Sequence, residues 1–107
     1  MEYTVEELAR KRANNEAFLL LDVRTAKELE IVSLAGAKHI PLHELEASIG
    51  TLSAWKDKEV ICMCHHGGRS AMAQRILLKN GFTDVKNLAG GIHAYAEEVD
   101  TSLAIYE

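Results

Sequence analysis

Two short runs of apolar residues constrain the fold of this chain more than any other feature. Residues 18–21 are apolar up to Asp22, and residues 59–64 show no alternation of polar and apolar side chains. A strand without alternation is buried on both faces, as in a parallel sheet that helices cover on both sides. We therefore expect two central strands here, and weaker short strands at residues 37–40 and 84–87.

Helix signals separate these runs. Thr4 and Thr25 each stand three residues before a glutamate, which is the spacing of a capping box. The pattern predicts a helix that Thr4 begins and that runs to about residue 11 or 12, and a short helix after Thr25. A third helix, ended by Gly50, is predicted from apolar residues that are spaced for one helical face: Leu42, Leu45 and Ile49.

The order of these elements predicts the fold class. Helices are also expected over residues 69–80 and 92–99, so that strands and helices alternate along the chain. Parallel strands joined by helices need crossover connections, which are almost always right-handed. A length of 107 residues leaves room for one domain. The sequence therefore predicts a single α/β domain over residues 1–107, with three layers and a small central parallel sheet flanked by helices.

The composition argues against several classes of partner. Twelve basic and sixteen acidic side chains give a net charge of −4, whereas nucleic acid and anionic lipid are bound by clustered basic surfaces. No apolar run approaches the ~20 residues that cross a bilayer, and the first residues are too acidic for a secretory signal. Cys62 and Cys64 are too close in sequence for an easy disulfide. We expect a reduced, cytoplasmic protein that binds neither nucleic acid nor membrane.

The segment over residues 60–70 carries the chemistry. In an open parallel sheet, ligands bind at the carboxyl ends of the strands, where the turn after Cys64 would lie. Gly67 and Gly68 allow the backbone to curl, and the N–H groups of the turn and of the following helix favour negative charge at one point. Cys64 is therefore expected to react as a thiolate near neutral pH. Arg69 offers a planar fork of donors for an oxyanion such as sulfonate or phosphate.

The second cysteine and the histidines allow other interpretations. A cysteine within a buried strand usually serves packing, and we assign Cys62 that role. A metal site built from the two cysteines with His65 and His66 would need a second ligand cluster. The remaining histidines are scattered along the sequence: His39, His43 and His93. We therefore predict no metal, and we expect His65 and His66 to form the rim of the loop and to help hold an anionic substrate when protonated.

Four segments, in order, resemble signatures of the rhodanese family, and together they cover nearly the whole chain. They are L-L-D-V-R at residues 20–24, G-A with H-I-P at 36–41, C-H-H-G-G-R-S at 64–70, and L-A-G-G-I with Tyr95 at 88–95. Two positions depart from the family pattern. Residues 32–34 are V-S-L where G-H-I is usual, and His65 follows the cysteine where thiosulfate-using members often have arginine.

The resemblance implies a sulfurtransferase whose catalytic nucleophile, Cys64, carries a persulfide. The sulfur would come from a small donor such as thiosulfate and pass to a thiol, to cyanide in an assay, or to a sulfur-accepting protein. No metal or organic cofactor is implied. The resemblance places the substrate-binding residues directly after the cysteine: His65, His66, Gly67, Gly68, Arg69 and Ser70.

Two other functions remain open. A phosphatase or an arsenate reductase on the same fold is the first. The related cell-cycle phosphatases place five residues between cysteine and arginine, whereas four separate Cys64 from Arg69 here. The tighter ring suits a single sulfur atom better than a phosphoryl group. A rhodanese-like binding module or a sulfur carrier is the other alternative, although modules without chemistry typically lack the cysteine.

Asp22 and Arg24 lie where a predicted strand ends, near the expected pocket. We expect them to form an ion pair that fixes the turn after that strand, which supports the site without contacting the substrate.

Overall fold

The computed structural model describes residues 1–107 and contains one five-stranded, all-parallel sheet. The strands are β1 (Glu2–Tyr3), β2 (Leu19–Asp22), β3 (Lys38–His39), β4 (Glu59–Met63) and β5 (Asp84–Leu88). They lie in the order β1-β5-β4-β2-β3, so β4 occupies the centre of the sheet. The predicted α/β fold with a central parallel sheet is confirmed, and the two-residue edge strand β1 is an addition that the sequence did not indicate.

Four α-helices flank the sheet: α1 (Val5–Ala13), α2 (Ala26–Ile31), α3 (Gly68–Lys79) and α4 (Gly91–Glu98). Both predicted capping boxes are confirmed, since Thr4 and Thr25 each exchange hydrogen bonds with the glutamate three residues later. None of the helices has both the length and the apolar character that crossing a bilayer requires.

The segment between β3 and β4 differs from the prediction. Leu42–Glu44 and Glu46–Trp55 form 3₁₀ turns, not an α-helix, and the second segment continues through Gly50. Gly50 has no left-handed φ and therefore does not end the segment. The buried side chains of the region are Leu45 and Leu52.

Alternate side chains of β4 serve two hydrophobic cores, one on each face of the sheet. Val60 and Cys62 pack in a cluster that includes residues from α3 and the 3₁₀ segment, such as Ala73, Leu77 and Leu52. Ile61 and Met63 pack in the second cluster, which includes residues from α1 and α4, such as Leu8 and Ile92. The four β4 side chains are completely buried, which explains why the run shows no alternation.

A buried ion pair lies where β2 ends. Arg24 donates from Nε and Nη2 to the two carboxylate oxygens of Asp22, over 3.0 and 2.7 Å, and neither residue is exposed. Arg24 Nη2 also donates to the carbonyl of Val32 over 2.8 Å, and Nη1 donates to the hydroxyl of Tyr106 over 3.1 Å. The predicted ion pair is confirmed, and Arg24 ties the turn after β2 to the end of α2 and to Tyr106, 82 residues away.

The first turn of α4 packs directly against the turn after β4. The amides of Ile92 and His93 donate to the carbonyls of Cys64 and His65, over 2.9 and 3.1 Å. Gly91, at a φ of +62°, makes this contact possible, because a Cβ there would lie 2.5 Å from the carbonyl oxygen of Cys64 and would also strike that of His65. The glycine therefore sets the distance between α4 and this turn.

Removing one partner of the buried ion pair is expected to destabilise the fold strongly. Asp22→Asn keeps the volume of the side chain but leaves the Arg24 guanidinium buried without a countercharge, which costs about 3–5 kcal/mol of unfolding free energy. Asp57→Asn is the matched control, because Asp57 is exposed, and it should change stability by less than about 0.5 kcal/mol. Urea denaturation measures both; equal, small effects would contradict a structural role for the pair.

A methyl group at residue 91 is expected to push α4 away from the turn after β4. Gly91→Ala should lower the free energy of unfolding by about 1–3 kcal/mol through crowding and backbone strain. Gly50→Ala is the control, because nothing lies within 4 Å of a Cβ at that position. Thermal unfolding followed by circular dichroism compares the two, and an unchanged Tm for Gly91→Ala would show that the close approach is not required.

Candidate active site

The carboxyl ends of the central strands bring three chain segments together. Asp22 lies beside Met63 in the register of β2 with β4, and Cys62 lies beside Asn87 in the register of β4 with β5. Cys64 follows β4 directly and therefore stands between the ends of the two neighbouring strands. This is the edge at which ligands bind in open parallel sheets.

Cys64 lies beneath its own loop and is only 1% exposed. Its Sγ accepts a hydrogen bond from the amide of Gly67 over 3.0 Å, and the hydroxyl oxygen of Ser70 lies 3.3 Å from the sulfur. Gly67 adopts a φ of +119°, which a side chain would strain. The loop therefore curls back over the sulfur and directs an N–H group at it, as the sequence led us to expect of this turn.

The amino terminus of α3 faces the same region. Gly67 is the N-cap of α3, and the amides of the first turn, from Gly68 to Ser70, have no acceptor within the helix. Unpaired amides and the helix dipole make this end of α3 favourable for negative charge. An anionic sulfur on Cys64 would lie against that end, since Ser70 in the first turn already contacts Sγ.

Asn87, at the end of β5, holds the loop from below and was not singled out by the sequence. Its Oδ1 accepts the hydroxyl proton of Ser70 over 2.5 Å, and its Nδ2 donates to the carbonyl of Gly67 over 3.2 Å. Both groups that contact Cys64 Sγ thus belong to residues held by Asn87. Asn87 is 4% exposed and shares the buried face of β5 with Val85, so a polar residue at an inward position of an alternating strand is the sequence signal that could have identified it.

Arg69 does not point at Cys64 Sγ as a free cation. Its Nη1 and Nη2 donate to the two carboxylate oxygens of Glu28 over 2.6 and 2.9 Å, and its side chain is 38% exposed. From the sequence we expected Arg69 to bind an oxyanion and Glu28 only to cap a helix. In the structure, Glu28 caps α2 and also forms the ion pair that neutralises Arg69.

The carboxylate of Glu28 is strongly favoured over its protonated form. The two hydrogen bonds from Arg69 hold its pKa well below the usual range, against the opposing effect of burial, and the Tyr106 hydroxyl adds a third over 2.6 Å. Burial and the neighbouring carboxylate raise the pKa of Tyr106. The network therefore stays intact across the neutral pH range and fixes the segment around Tyr106 beside the loop.

His65 and His66 form the rim of the loop, as predicted, but His65 is held more firmly than expected. Its ring stacks on Tyr106 with centroids 3.9 Å apart, and its Nε2 lies 2.7 Å from the Tyr106 carbonyl. Burial, with the adjacent His66, lowers the pKa of His65, which favours the neutral ring. The expectation that a protonated His65 helps to hold an anion therefore gains no support from its surroundings.

The interpretation of His93 as a residue scattered away from the loop is wrong. The ring of His93 lies 5.7 Å from that of His65 and 4.7 Å from that of His66, measured between centroids. The reason is the packing of α4 through Gly91, a long-range contact that spacing along the sequence does not reveal. One nitrogen from each of the three rings lies within 4.8 Å of the others.

Cys62 lies in the core on the α3 side of the sheet and is completely buried. Burial, with the nearby Cys64, raises the pKa of its thiol to about 12, so that it stays protonated at neutral pH. Its position agrees with the packing role assigned from the sequence.

A cleft of about 430 Å³ opens beside the loop, on the side of the 3₁₀ segment. Arg69 forms part of its wall, together with polar and apolar neighbours that include Glu46, Leu42 and Met72. Cys64 does not line this cleft.

Comparisons with known proteins agree with this geometry. The family model described as the Rhodanese-like domain matches residues 4–98. A rhodanese-related protein from Thermoplasma volcanium superimposes with a TM-score of 0.81 at 32% identity, over 92% of each chain. The human single-domain sulfurtransferase TSTD1 has a TM-score of 0.79 at 25% identity, over 91% of this chain and 96% of the other.

Curated relatives include proteins of similar and of much greater length. A sulfurtransferase from Allochromatium vinosum is 34% identical over 91 residues, which cover 85% of this chain and 83% of the relative. YrkF from Bacillus subtilis, whose name describes a sulfur carrier, is 33% identical over 92% of this chain and 52% of its own length. The maize adenylyltransferase and sulfurtransferase MOCS3-1 is 32% identical over 96% of this chain, which spans only 23% of that relative.

The family model, the signature segments and the loop around Cys64 lead to the same conclusion. The chain belongs to the rhodanese-like domain family, and its homologues include sulfurtransferases and proteins named for sulfur transfer or carriage.

Proposed function

We propose that this protein is a sulfurtransferase that carries sulfane sulfur on Cys64 as a persulfide. The observation that supports this most directly is the hydrogen bond from the Gly67 amide to Cys64 Sγ, beside the amino terminus of α3. Main-chain donors that are fixed before the reaction stabilise an anionic sulfur without reorganisation. Cys62, two residues earlier, has no such donors and is held as a thiol by burial.

In the first half-reaction, the Cys64 thiolate attacks the outer sulfur of a donor such as thiosulfate. A bond forms between Sγ and that sulfur, the sulfur–sulfur bond of the donor breaks, and sulfite leaves with the electron pair. The product is a Cys64 persulfide anion, and total charge is conserved. Covalent transfer of this kind divides one difficult step into two easier ones.

In the second half-reaction, a nucleophile takes the outer sulfur. A cellular thiol, a sulfur-accepting protein, or cyanide in an assay attacks that sulfur, and the Cys64 thiolate is regenerated. No step requires a metal or an organic cofactor.

Ser70 suits both states of the cysteine. With its own proton donated to Asn87, the Ser70 oxygen accepts the proton of a Cys64 thiol. Once Sγ is ionised, rotation of the hydroxyl lets Ser70 donate to the sulfur instead. The thiolate would then have two donors, the Gly67 amide and the Ser70 hydroxyl.

A sulfur carrier without rapid turnover is the second candidate, and the similarity to YrkF favours it. Both functions form the same persulfide. They differ in whether a small acceptor such as cyanide discharges it at a catalytic rate or whether only a protein acceptor does.

Persulfide formation is expected at Cys64 alone. After treatment with thiosulfate, the wild type should gain one sulfur atom in intact mass spectrometry, and peptide mapping should place it on Cys64. Cys64→Ser should gain none and should lose thiosulfate:cyanide activity to background. Cys62→Ser is the matched control, because it makes the same substitution at a buried cysteine that receives no hydrogen bond from the loop. This variant should keep the added sulfur and most activity, at a stability cost of roughly 1–3 kcal/mol.

Sulfur found on Cys62, or full activity in Cys64→Ser, would overturn the assignment. A persulfide on Cys64 without release of thiocyanate would favour the carrier. Hydrolysis of p-nitrophenyl phosphate by the wild type would favour the phosphatase alternative.

The donor's oxyanion is proposed to bind the N–H groups of Arg69 that Glu28 leaves free. Arg69→Ala should then raise the KM for thiosulfate about tenfold, whereas Glu28→Gln, which removes a negative charge beside the donor, should lower it. Because Arg69 holds the pKa of Glu28 well below its usual range in the wild type, the difference in KM between the wild type and Glu28→Gln should persist from about pH 5 to pH 8.

Arg75→Ala is the control for this pair, since it removes an exposed arginine from the same helix. If Arg69→Ala and Glu28→Gln instead lower kcat together and leave KM unchanged, Arg69 only positions the loop and does not contact the donor.

A further inference from the structure

We propose that His65, His66 and His93 form a binding site for a divalent transition metal ion of the zinc class. The three side chains come from two elements, the loop after β4 and the first turn of α4. One ring nitrogen from each lies within 4.8 Å of the other two. Cys64 is not among the three ligands, so the site does not depend on the sulfurtransferase function.

The backbone holds the two elements in place. His93 donates its amide to the carbonyl of His65 over 3.1 Å, so the two residues are linked directly. Gly91 removes the side chain that would otherwise separate them. The approach of the three rings is therefore a consequence of the packing of α4 and does not depend on mobile side chains alone.

His93 presents a nitrogen without a partner. Its Nδ1 is buried and has no hydrogen-bond partner, and the side chain as a whole is 19% exposed. On the other side of the ring, Nε2 lies 3.5 Å from a carboxylate oxygen of Glu97. When the neutral ring carries its proton on Nε2, which faces this carboxylate, the buried Nδ1 carries the lone pair that a metal ion needs.

His65 is arranged in the same way. Its Nε2 lies 2.7 Å from the carbonyl oxygen of Tyr106, which can only accept, so the ring proton belongs on Nε2. The Nδ1 of His65 then carries a lone pair. Metal-binding histidines are typically oriented by a carbonyl or carboxylate on the nitrogen opposite the metal, as the Tyr106 carbonyl orients His65.

His66 is the third ligand, and its side chain is the one that can move to bring the three nitrogens closer together. Zinc binds histidine nitrogens at about 2.0–2.1 Å, so the three nitrogens must move closer together than the structure shows. His66 is exposed, and its side chain is free to rotate toward the other two. Three imidazoles leave the fourth tetrahedral position open, and imidazole ligands suit zinc, copper, nickel and cobalt.

Titration of the untagged, full-length protein with Co²⁺ tests the site spectroscopically, and calorimetry with Zn²⁺ measures its affinity. We expect one ion per chain and cobalt absorption bands of a nitrogen and oxygen site, without the near-ultraviolet charge-transfer band of a thiolate ligand. His66→Ala and His93→Gln should each weaken binding at least tenfold. Because His66 is exposed, its removal does not threaten folding, and circular dichroism verifies the fold of both variants.

Two further variants separate this site from the alternatives. His43→Ala removes an exposed histidine elsewhere and should bind as the wild type does. Cys64→Ser should also bind as the wild type does, even if it abolishes sulfur transfer. Binding that survives in His66→Ala and His93→Gln but is lost in Cys64→Ser would overturn the proposal, as would the absence of any saturable binding.

Discussion

The contact between the first turn of α4 and the turn after β4 is the constraint on which the rest of the site depends. Two amides of α4 donate hydrogen bonds to the carbonyls of Cys64 and His65, and Gly91 allows the two backbones to approach this closely. With those carbonyls held outward, the loop can turn its amide groups toward Sγ, as Gly67 does. The same contact places His93 beside the loop, so both the surroundings of Cys64 and the histidine cluster depend on the packing of α4 against this turn.

The site favours an anion through main-chain dipoles more than through side-chain charge. Its nearest arginine, Arg69, is neutralised by Glu28, and the buried Arg24 is neutralised by Asp22. What remains for a sulfur anion is the amide of Gly67, the hydroxyl of Ser70 and the amino terminus of α3. Such donors are fixed by the fold and do not titrate, which would suit the proposed alternation of Cys64 between thiolate and persulfide.

Local sequence signals predicted much of the fold. The apolar runs at β2 and β4 and the capping threonines succeeded because their causes, burial on two faces and hydrogen bonding within four residues, act over short distances. The helix expected from Leu42, Leu45 and Ile49 was wrong, because a short apolar pattern does not distinguish an α-helix from successive 3₁₀ turns. The edge strand β1 was missed because two residues carry no pattern, and its pairing with β5 is a long-range contact.

The candidate site was predicted only in part, because local signals are visible in the sequence and long-range contacts are not. The segment from Cys64 to Ser70 could be assigned from its own sequence, whereas its partners could not. Asn87, Glu28 and Tyr106 reach the loop from 17 to 41 residues away, through hydrogen bonds that no spacing rule anticipates. His93 joins the rim for the additional reason that glycine permits α4 to approach.

The most direct measurement is a crystal structure of the protein after treatment with thiosulfate. We expect density for one extra sulfur bonded to Cys64 Sγ, within hydrogen-bond distance of amide nitrogens of the loop and of the first turn of α3. An added sulfur that points away from those amides, or that is bonded to Cys62, would contradict the proposed role of the main-chain donors.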